Sequence, residues 1–223
     1  MEQSVRDEIL EKLKSAPKAA IPPRPALPPY KTLSLDREGL IAEFTARLTE
    51  ETVVVHRVKG FPEALEKLTA IAVEEGLKKV MASTDAVVSR LDLPSWGKKN
   101  GIQVMTPGDF PDRYAYRDAA FDQAQAGITG ADFGIAESAT IGLIHDRDQA
   151  RLVSLAPILH IAVVPVERII PVYEGIIEKV FGQKGEYPSQ FVFITGPSMT
   201  GDIQGVLFKG MHGPRKVIVI LVG

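Results

Sequence analysis

The sequence predicts an α/β protein, with a Rossmann-like, mostly parallel sheet and helices on both faces. Three observations predict it. Apolar runs of strand length alternate with helical periodicity from Leu33 onward. Those runs are almost wholly apolar, as strands buried on both faces must be. The 223 residues, 45% hydrophobic and 24% charged, are enough to bury a sizeable core.

Residues 4–14 read as a short amphipathic helix, with Ser4 as its cap and Ile9, Leu10 and Leu13 on one face. Residues 16–29 contain Pro17, Pro22, Pro23, Pro25, Pro28 and Pro29, so they are expected to form an extended, polyproline-like arm. A helix this short is marginal alone and is expected to dock, on its own subunit or a second one. Residues 1–32 are therefore read as helix and arm, through which a homo-oligomer could form, and 33–223 as the α/β domain.

Within that domain, Leu40, Ile41, Phe44 and Leu48 mark a helix face, with Ser34 as cap and Asp36 and Glu38 in the first turn. Residues 52–55 are β-branched and read as a buried strand. Leu65, Leu68, Ile71 and Ala72 mark the next helix, residues 79–82 and 102–105 the next strands, and 113–125 a helical stretch. A β-rich block follows at 127–129, 134–136, 140–145, 152–155 and 158–164. A long helix is expected over 166–181, with Pro171 near its first turn. Residues 191–195 and 216–222 are the last strands.

Composition removes several functions. Twenty-six basic against 28 acidic side chains leave a net charge of −2, without the basic excess of a nucleic-acid binder. The chain has no cysteine, so it lacks disulfides, thiolate zinc sites, iron–sulfur ligands and a cysteine nucleophile. No metal site or cofactor of its own is expected, and any redox centre must sit on a cofactor or a partner. The longest apolar runs, 161–166 and 217–222, fall far short of the ~20 residues of a membrane span. The first seven residues carry no apolar signal-peptide core, so a cytoplasmic protein is expected.

The familiar motifs fail. There is no G-x-x-x-x-G-K-[ST], no G-x-G-x-x-G opening a helix and no H-E-x-x-H. Residues 196–201 approach a nucleophile elbow, but the second glycine is one place late and a proline precedes Ser198. Two segments stand out instead. Residues 127–142 set Thr129, Gly130, Asp132, Glu137, Ser138 and Thr140 between apolar strands, where glycines admit a ligand to the backbone and a carboxylate can act as base or nucleophile. A pair of tight turns with Asp132 as turn former is the alternative. Residues 194–203 bring Thr195, Gly196, Ser198, Thr200 and Asp202 after an apolar strand, followed by His212 and Arg215 at 210–215. Such hydroxyls and carboxylates cap a following helix, whose start attracts anions, and the loop is expected at the carboxyl end of a parallel strand.

The runs GITGADFGIAESATIGL and FITGPSMTGDIQGVLFKGMHGPRKVIVILV resemble the LUD-domain family, in particular its lactate utilisation protein C branch. The resemblance extends from about residue 35 to the end. Family members commonly carry arginine at the position of Met199 and glycine at that of Ala139. The resemblance implies a fold similar to the glucosamine-phosphate isomerase, ribose-phosphate isomerase and CoA-transferase superfamily. It further implies a place beside two iron–sulfur proteins in oxidising lactate to pyruvate. On that reading Glu137 and Asp202 move protons or hold hydroxyls, while the remaining residues named above bind a small anionic ligand. Two alternatives stay open: a free-standing transferase or isomerase using Glu137, and a scaffold or sensing module without chemistry.

Overall fold

The computed structural model describes residues 5–16, 32–176, 180, 188, 190–201 and 208–223. The chain divides into two compact units, Met1–Tyr30 and Lys31–Gly223. In the first, helix α1 (Val5–Ser15) buries none of its residues. The Ser4 cap and the proline-rich arm lie outside the described residues.

In the second unit the described helices are α2 (Arg37–Glu50), α3 (Phe61–Glu74), α4 (Leu93–Asn100), α5 (Arg113–Asp122) and α6 (Leu152–Leu155). The described strands begin with β1 (Val54–Val58), β2 (Lys79–Ala82), β3 (Gln103–Met105), β4 (Ala126–Gly130), β5 (Phe133–Ile135) and β6 (Thr140–His145). They continue with β7 (Leu159–Pro165), β8 (Ile169–Ile170), β9 (Gln190–Ile194), β10 (Met199–Thr200), β11 (Phe208–Lys209) and β12 (Lys216–Val222). Six strands form one parallel sheet in the order β1-β12-β7-β4-β2-β3.

Strand alternation sorts the sheet's side chains between two cores. Val80, Ile128, Ile161, Val163, Ile218 and Ile220 pack with Leu68 and Ile71 of α3 and Trp96 of α4. On the opposite face Ala162, Val164, Val217, Val219 and Leu221 pack with Leu40, Ile41, Phe44 and Leu48 of α2 and with Ile141 and Leu143 of β6. A second, mixed sheet of order β8-β5-β6-β9 thus shares this face with α2. Met81 and Met105 complete the face beneath Ala119 and Ala120 of α5 and Val153 of α6.

The parallel sheet and its two-sided cover agree with the expectation, and four local differences have physical causes. Residues 166–170 are not the start of a helix. Val166–Arg168 is a 3-10 turn, and Ile169–Ile170 pair with Gly134 and Ile135 as β8. Pro171 supplies no N–H and drives the residue before it into extended backbone. Residues 177–179 and 181 of that stretch lie outside the described residues. Leu152–Leu155 is a helical turn rather than a strand, set so closely on β4 that a Cβ at Gly127 would strike the Val153 carbonyl. Asp36, not Ser34, caps α2, its Oδ1 accepting from the Gly39 N–H at 2.7 Å. Helix α4 carries no strong periodic signal because Gly97 interrupts it, lying where a Cβ would meet the Ile102 carbonyl.

The order reverses at β2, which has β3 on one side and β4 on the other. In open parallel sheets this reversal opens a crevice at the strands' carboxyl ends, where ligands bind.

Two helix ends test the backbone argument. Helix α2 closes with the Val53 N–H on the Leu48 carbonyl at 2.9 Å, which puts Thr52 in the left-handed region at φ 63°. Helix α3 closes in the same way, with Leu77 on Ala72 at 2.8 Å, but Gly76 holds the left-handed position at φ 62°. Thr52→Gly is expected to stabilise the protein by about 1 kcal/mol, and Gly76→Ala to destabilise it by about as much. Thermal unfolding should register opposite shifts of roughly 2–4 °C.

Candidate functional site

The crevice is assembled by a carboxylate. Strand β2 ends at Ala82, and Asp85 follows three residues later. Its Oδ2 accepts from Ser83 Oγ at 2.6 Å and from the Gly130 N–H at 3.0 Å. Its Oδ1 accepts from the N–H groups of Val87 at 2.8 Å and Val88 at 3.2 Å. Asp85 therefore ties the end of β2 to the end of β4 and caps the 3-10 turn Val88–Leu91. Gly130 has to be glycine, because a Cβ there would fall on that carboxylate.

The facing wall comes from the second sheet. Beyond β6, Asp146 Oδ1 accepts from the N–H groups of Asp148 at 2.8 Å and Gln149 at 2.9 Å, forming an Asx turn. Thr84 donates its N–H to the Asp148 carbonyl at 2.7 Å and its hydroxyl to Asp148 Oδ1 at 3.1 Å. Asp132, just past β4, accepts at Oδ2 from the Ile144 N–H at 2.6 Å and from Gln149 Nε2 at 3.0 Å. Arg168, in the turn after β7, donates from Nη1 to the Ala131 carbonyl at 2.7 Å.

Asp85, Asp132, Asp146, Asp148, Gln149 and Arg168 all line the resulting cleft of about 290 Å³. Asp85 and Asp146 hold turns, and Asp148 accepts from the Thr84 hydroxyl. Asp132 differs: burial raises its pKa above the usual carboxylate value, and the charge of Asp85 adds to that. The Ile144 N–H, Arg168 and Gln149 oppose the rise. No described group of His, Asp and Glu side chains is arranged to hold a metal ion.

The structure separates the residues singled out in the sequence. Gly130 and Asp132 belong to the crevice, while Thr129 lies beneath it, fully buried, with Oγ1 2.9 Å from His160 Nε2. Glu137 and Ser138 stand at the far end of β5, roughly 10 Å or more from Asp132 along the strand. There Glu137 Oε1 accepts from the Tyr173 N–H at 2.8 Å, and its own N–H donates to the Pro171 carbonyl at 3.1 Å. Arg47 of α2 is near enough to feel its charge. Ser138 Oγ lies 2.9 Å from Thr140 Oγ1, which lies 3.3 Å from Thr195 Oγ1, so two distant segments do meet at this end.

The loop after β9 is not at the carboxyl end of a parallel strand. Strand β9 belongs to the second sheet and runs antiparallel to β6. The loop instead reaches the amino ends of β7 and β12. Gly196 packs on the Glu51 carbonyl, Ser198 donates its N–H to the Pro214 carbonyl at 2.8 Å, and the Arg215 N–H donates to the Ile158 carbonyl at 2.8 Å. The Ser198 carbonyl accepts from the Gly210 N–H at 2.8 Å, and its hydroxyl from the His212 N–H at 3.4 Å. The side chains of His212 and Arg215 are exposed. Thr200 pairs with Phe208 across β10 and β11, so Ser198 directly precedes a short strand, and the residues after Gly201, where the helix was expected, lie outside the described residues up to Phe208. Asp202 lies outside the described residues.

Sequence reasoning missed Asp85, Gln149 and Arg168. Ser83-Thr84-Asp85 directly after an apolar strand was an available signal for Asp85. Arg168 was hidden inside a stretch read as helix.

Two buried groups give opposite pH dependences. Burial pushes His160 from 6.5 down to about 4, so it is neutral in the fold. As pH falls through that window the unfolded chain takes up a proton that the folded chain lacks, and stability drops by ~3 kcal/mol. His160→Gln should remove that part of the acid loss. Asp132 acts with the opposite sign: its folded carboxyl holds a proton to higher pH than the unfolded one, so its contribution is present in acid and is lost as pH rises through the raised pKa. Asp132→Asn should remove that loss. Urea midpoints of the three proteins across this pH range measure both effects.

The LUD domain family profile matches residues 41–222. The protein from Deinococcus radiodurans named Lactate utilization protein C is 29% identical over 223 residues, covering 99% of this chain and 98% of that one. Its namesake from Bacillus subtilis (strain 168) is 40% identical over 104 residues, covering 45% of this chain and 43% of the relative. The crystal structure of a DUF162 family protein from Deinococcus radiodurans superposes with a TM-score of 0.60 over 85% of this chain and 99% of that one. At 24% identity it speaks for the fold alone. The family match runs through both sheets and every strand from β1 to β12, and on that ground the chain belongs to the LUD domain family.

Proposed function

We propose that this chain works in lactate utilisation as a component without a redox centre of its own. The observation that carries the reading is the end-to-end alignment with the Deinococcus radiodurans protein named Lactate utilization protein C. The absence of cysteine gives the reading its chemical form, because electrons removed from lactate have to be taken up by another group. Iron–sulfur protein partners are the natural acceptors, and the system would work in the cytoplasm. The small anionic ligand of this role belongs in the crevice between β2 and β4, the position at which this sheet topology favours binding. The N-terminal unit would serve assembly with a second copy or with those partners, since Ile9 and Leu13 of α1 are 54% and 67% exposed.

The experiment mixes the full chain with the purified iron–sulfur partners, lactate and a reducible dye. Dye reduction well above that of the partners alone is expected, and no gain overturns the reading. Gly130→Val should abolish the gain by displacing Asp85. Glu137→Gln should leave most of it, because that side chain holds a turn outside the crevice.

A further inference from the structure

We infer that the outward face of α5 joins two copies of this chain. The two helices lie parallel about a two-fold axis, so that Arg113 and Arg117 of each meet Asp118 and Asp122 of the other. The inference is independent of the crevice and of any ligand.

Helix α5 turns Tyr116, Ala119 and Ala120 to the core. At about 100° per residue, six of its other side chains divide the outward face into three strips. Tyr114 and Phe121 run down the middle, two turns apart, and are 53% and 60% exposed. Arg113 and Arg117 border one side, Asp118 and Asp122 the other, and all four are exposed. Large aromatic side chains and arginine are the residue types enriched at the centres of interfaces. Both arginines lean over the middle strip, with Cζ of Arg113 4.8 Å and Cζ of Arg117 5.6 Å from the centre of the Tyr114 ring.

This sorting of charge works against the helix itself. Like charges four residues apart repel, and α5 carries two such pairs, Arg113 with Arg117 and Asp118 with Asp122. A helix favours acids in its first turn and bases in its last. Asp112 caps the start of α5, but the first turn holds no acid and the last no base. Arg113 stands at the start and Asp122 at the end, the reverse of α2 with Glu38 first and Arg47 last. Charges set against a local preference point to a contact elsewhere that compensates for them.

A second copy supplies that contact in one orientation. When two helices point the same way about a two-fold axis along them, the basic border of each faces the acidic border of the other. Tyr114 and Phe121 then meet their own counterparts. Antiparallel helices would bring like borders together and set Arg117 against Arg117, so the parallel arrangement is selected. In the single chain Arg117 donates to Asp118 Oδ1 from Nε at 2.9 Å and from Nη2 at 2.7 Å, and both side chains are more than half exposed. An exposed ion pair contributes little, so exchanging it for the other copy's carboxylate costs little. Burial of Tyr114 and Phe121 from both copies favours the dimer. A contact centred on one ten-residue helix is at the small end of stable interfaces, so a dissociation constant on the order of 10 μM is expected.

Sedimentation of the full chain between about 1 and 100 μM tests this. The unaltered chain should pass from monomer to dimer across that range. Arg113→Glu with Arg117→Glu, and separately Asp118→Lys with Asp122→Lys, should each weaken the dimer by about tenfold or more. An equal mixture of the two variants should dimerise again, because every border then faces its opposite. Each variant puts a favourable charge at one end of α5, so circular dichroism should show both folded. The chain has no cysteine, which allows a second measurement with single cysteines. Tyr114→Cys and Phe121→Cys should each form a disulfide-linked dimer with itself on mild oxidation, as parallel helices bring equal positions together. A chain that stays monomeric at about 100 μM overturns the inference. So does a dimer indifferent to the charge variants, a mixture that stays monomeric, or cross-linking only when the two cysteine variants are combined.

Discussion

Strands β7 and β12 are apolar along nearly their whole length and lie side by side in the sheet, so both of their faces have to be covered. Much of the molecule answers this constraint. Helices α3 and α4 cover one face. On the other face α2 is too narrow to do it alone, and β6 of the second sheet supplies Ile141 and Leu143 beside it. The second sheet starts only two residues after β4 ends. The chain therefore passes from one sheet to the other at the carboxyl edge, where the strand order reverses. Ala131 and Asp132 make that passage, which sets a carboxylate from the second sheet's entrance opposite a loop from β2.

The polar groups of this edge fall into two kinds. Asp85, Asp146 and Asp148 hold backbone N–H groups or hydroxyls that chain ends and turns leave unpaired. They shape the walls, and Asp146 and Asp148 are engaged at Oδ1 alone. Asp132 and Arg168 each hold one backbone partner and keep a second side open to the cleft. Both are partly buried, oppositely charged and not paired with each other.

At the other end of β5 a separate polar cluster serves the fold. Glu137 secures the turn to Pro171 and Tyr173, and the hydroxyls of Ser138, Thr140 and Thr195 link β6 to the end of β9. The turn between Glu137 and Thr140 passes through Ala139 at φ 52°, a left-handed conformation that costs a residue with a Cβ about 1–2 kcal/mol. Ala139 is fully buried against the α2 core, so packing holds the turn in that shape.

The sequence by itself determined the parallel sheet, because the periodicity of runs such as 79–82, 140–145 and 216–222 is a local property that survives into the fold. It also marked Gly130 and Asp132, since glycine followed by a carboxylate at a strand's end is a local signal. Which segments share a cleft was decided only by the tertiary structure. Residues 127–142 span two ends of a second sheet, so Asp132 and Glu137 part company along β5, and the loop after β9 is carried to the amino edge by an antiparallel pairing that no local pattern announces. Arg168 reaches the crevice because Ile169 and Ile170, apolar enough for a helix face, gain more by pairing with Gly134 and Ile135 ahead of a proline. Pairing partners distant in sequence set the strand register, and the register set the site.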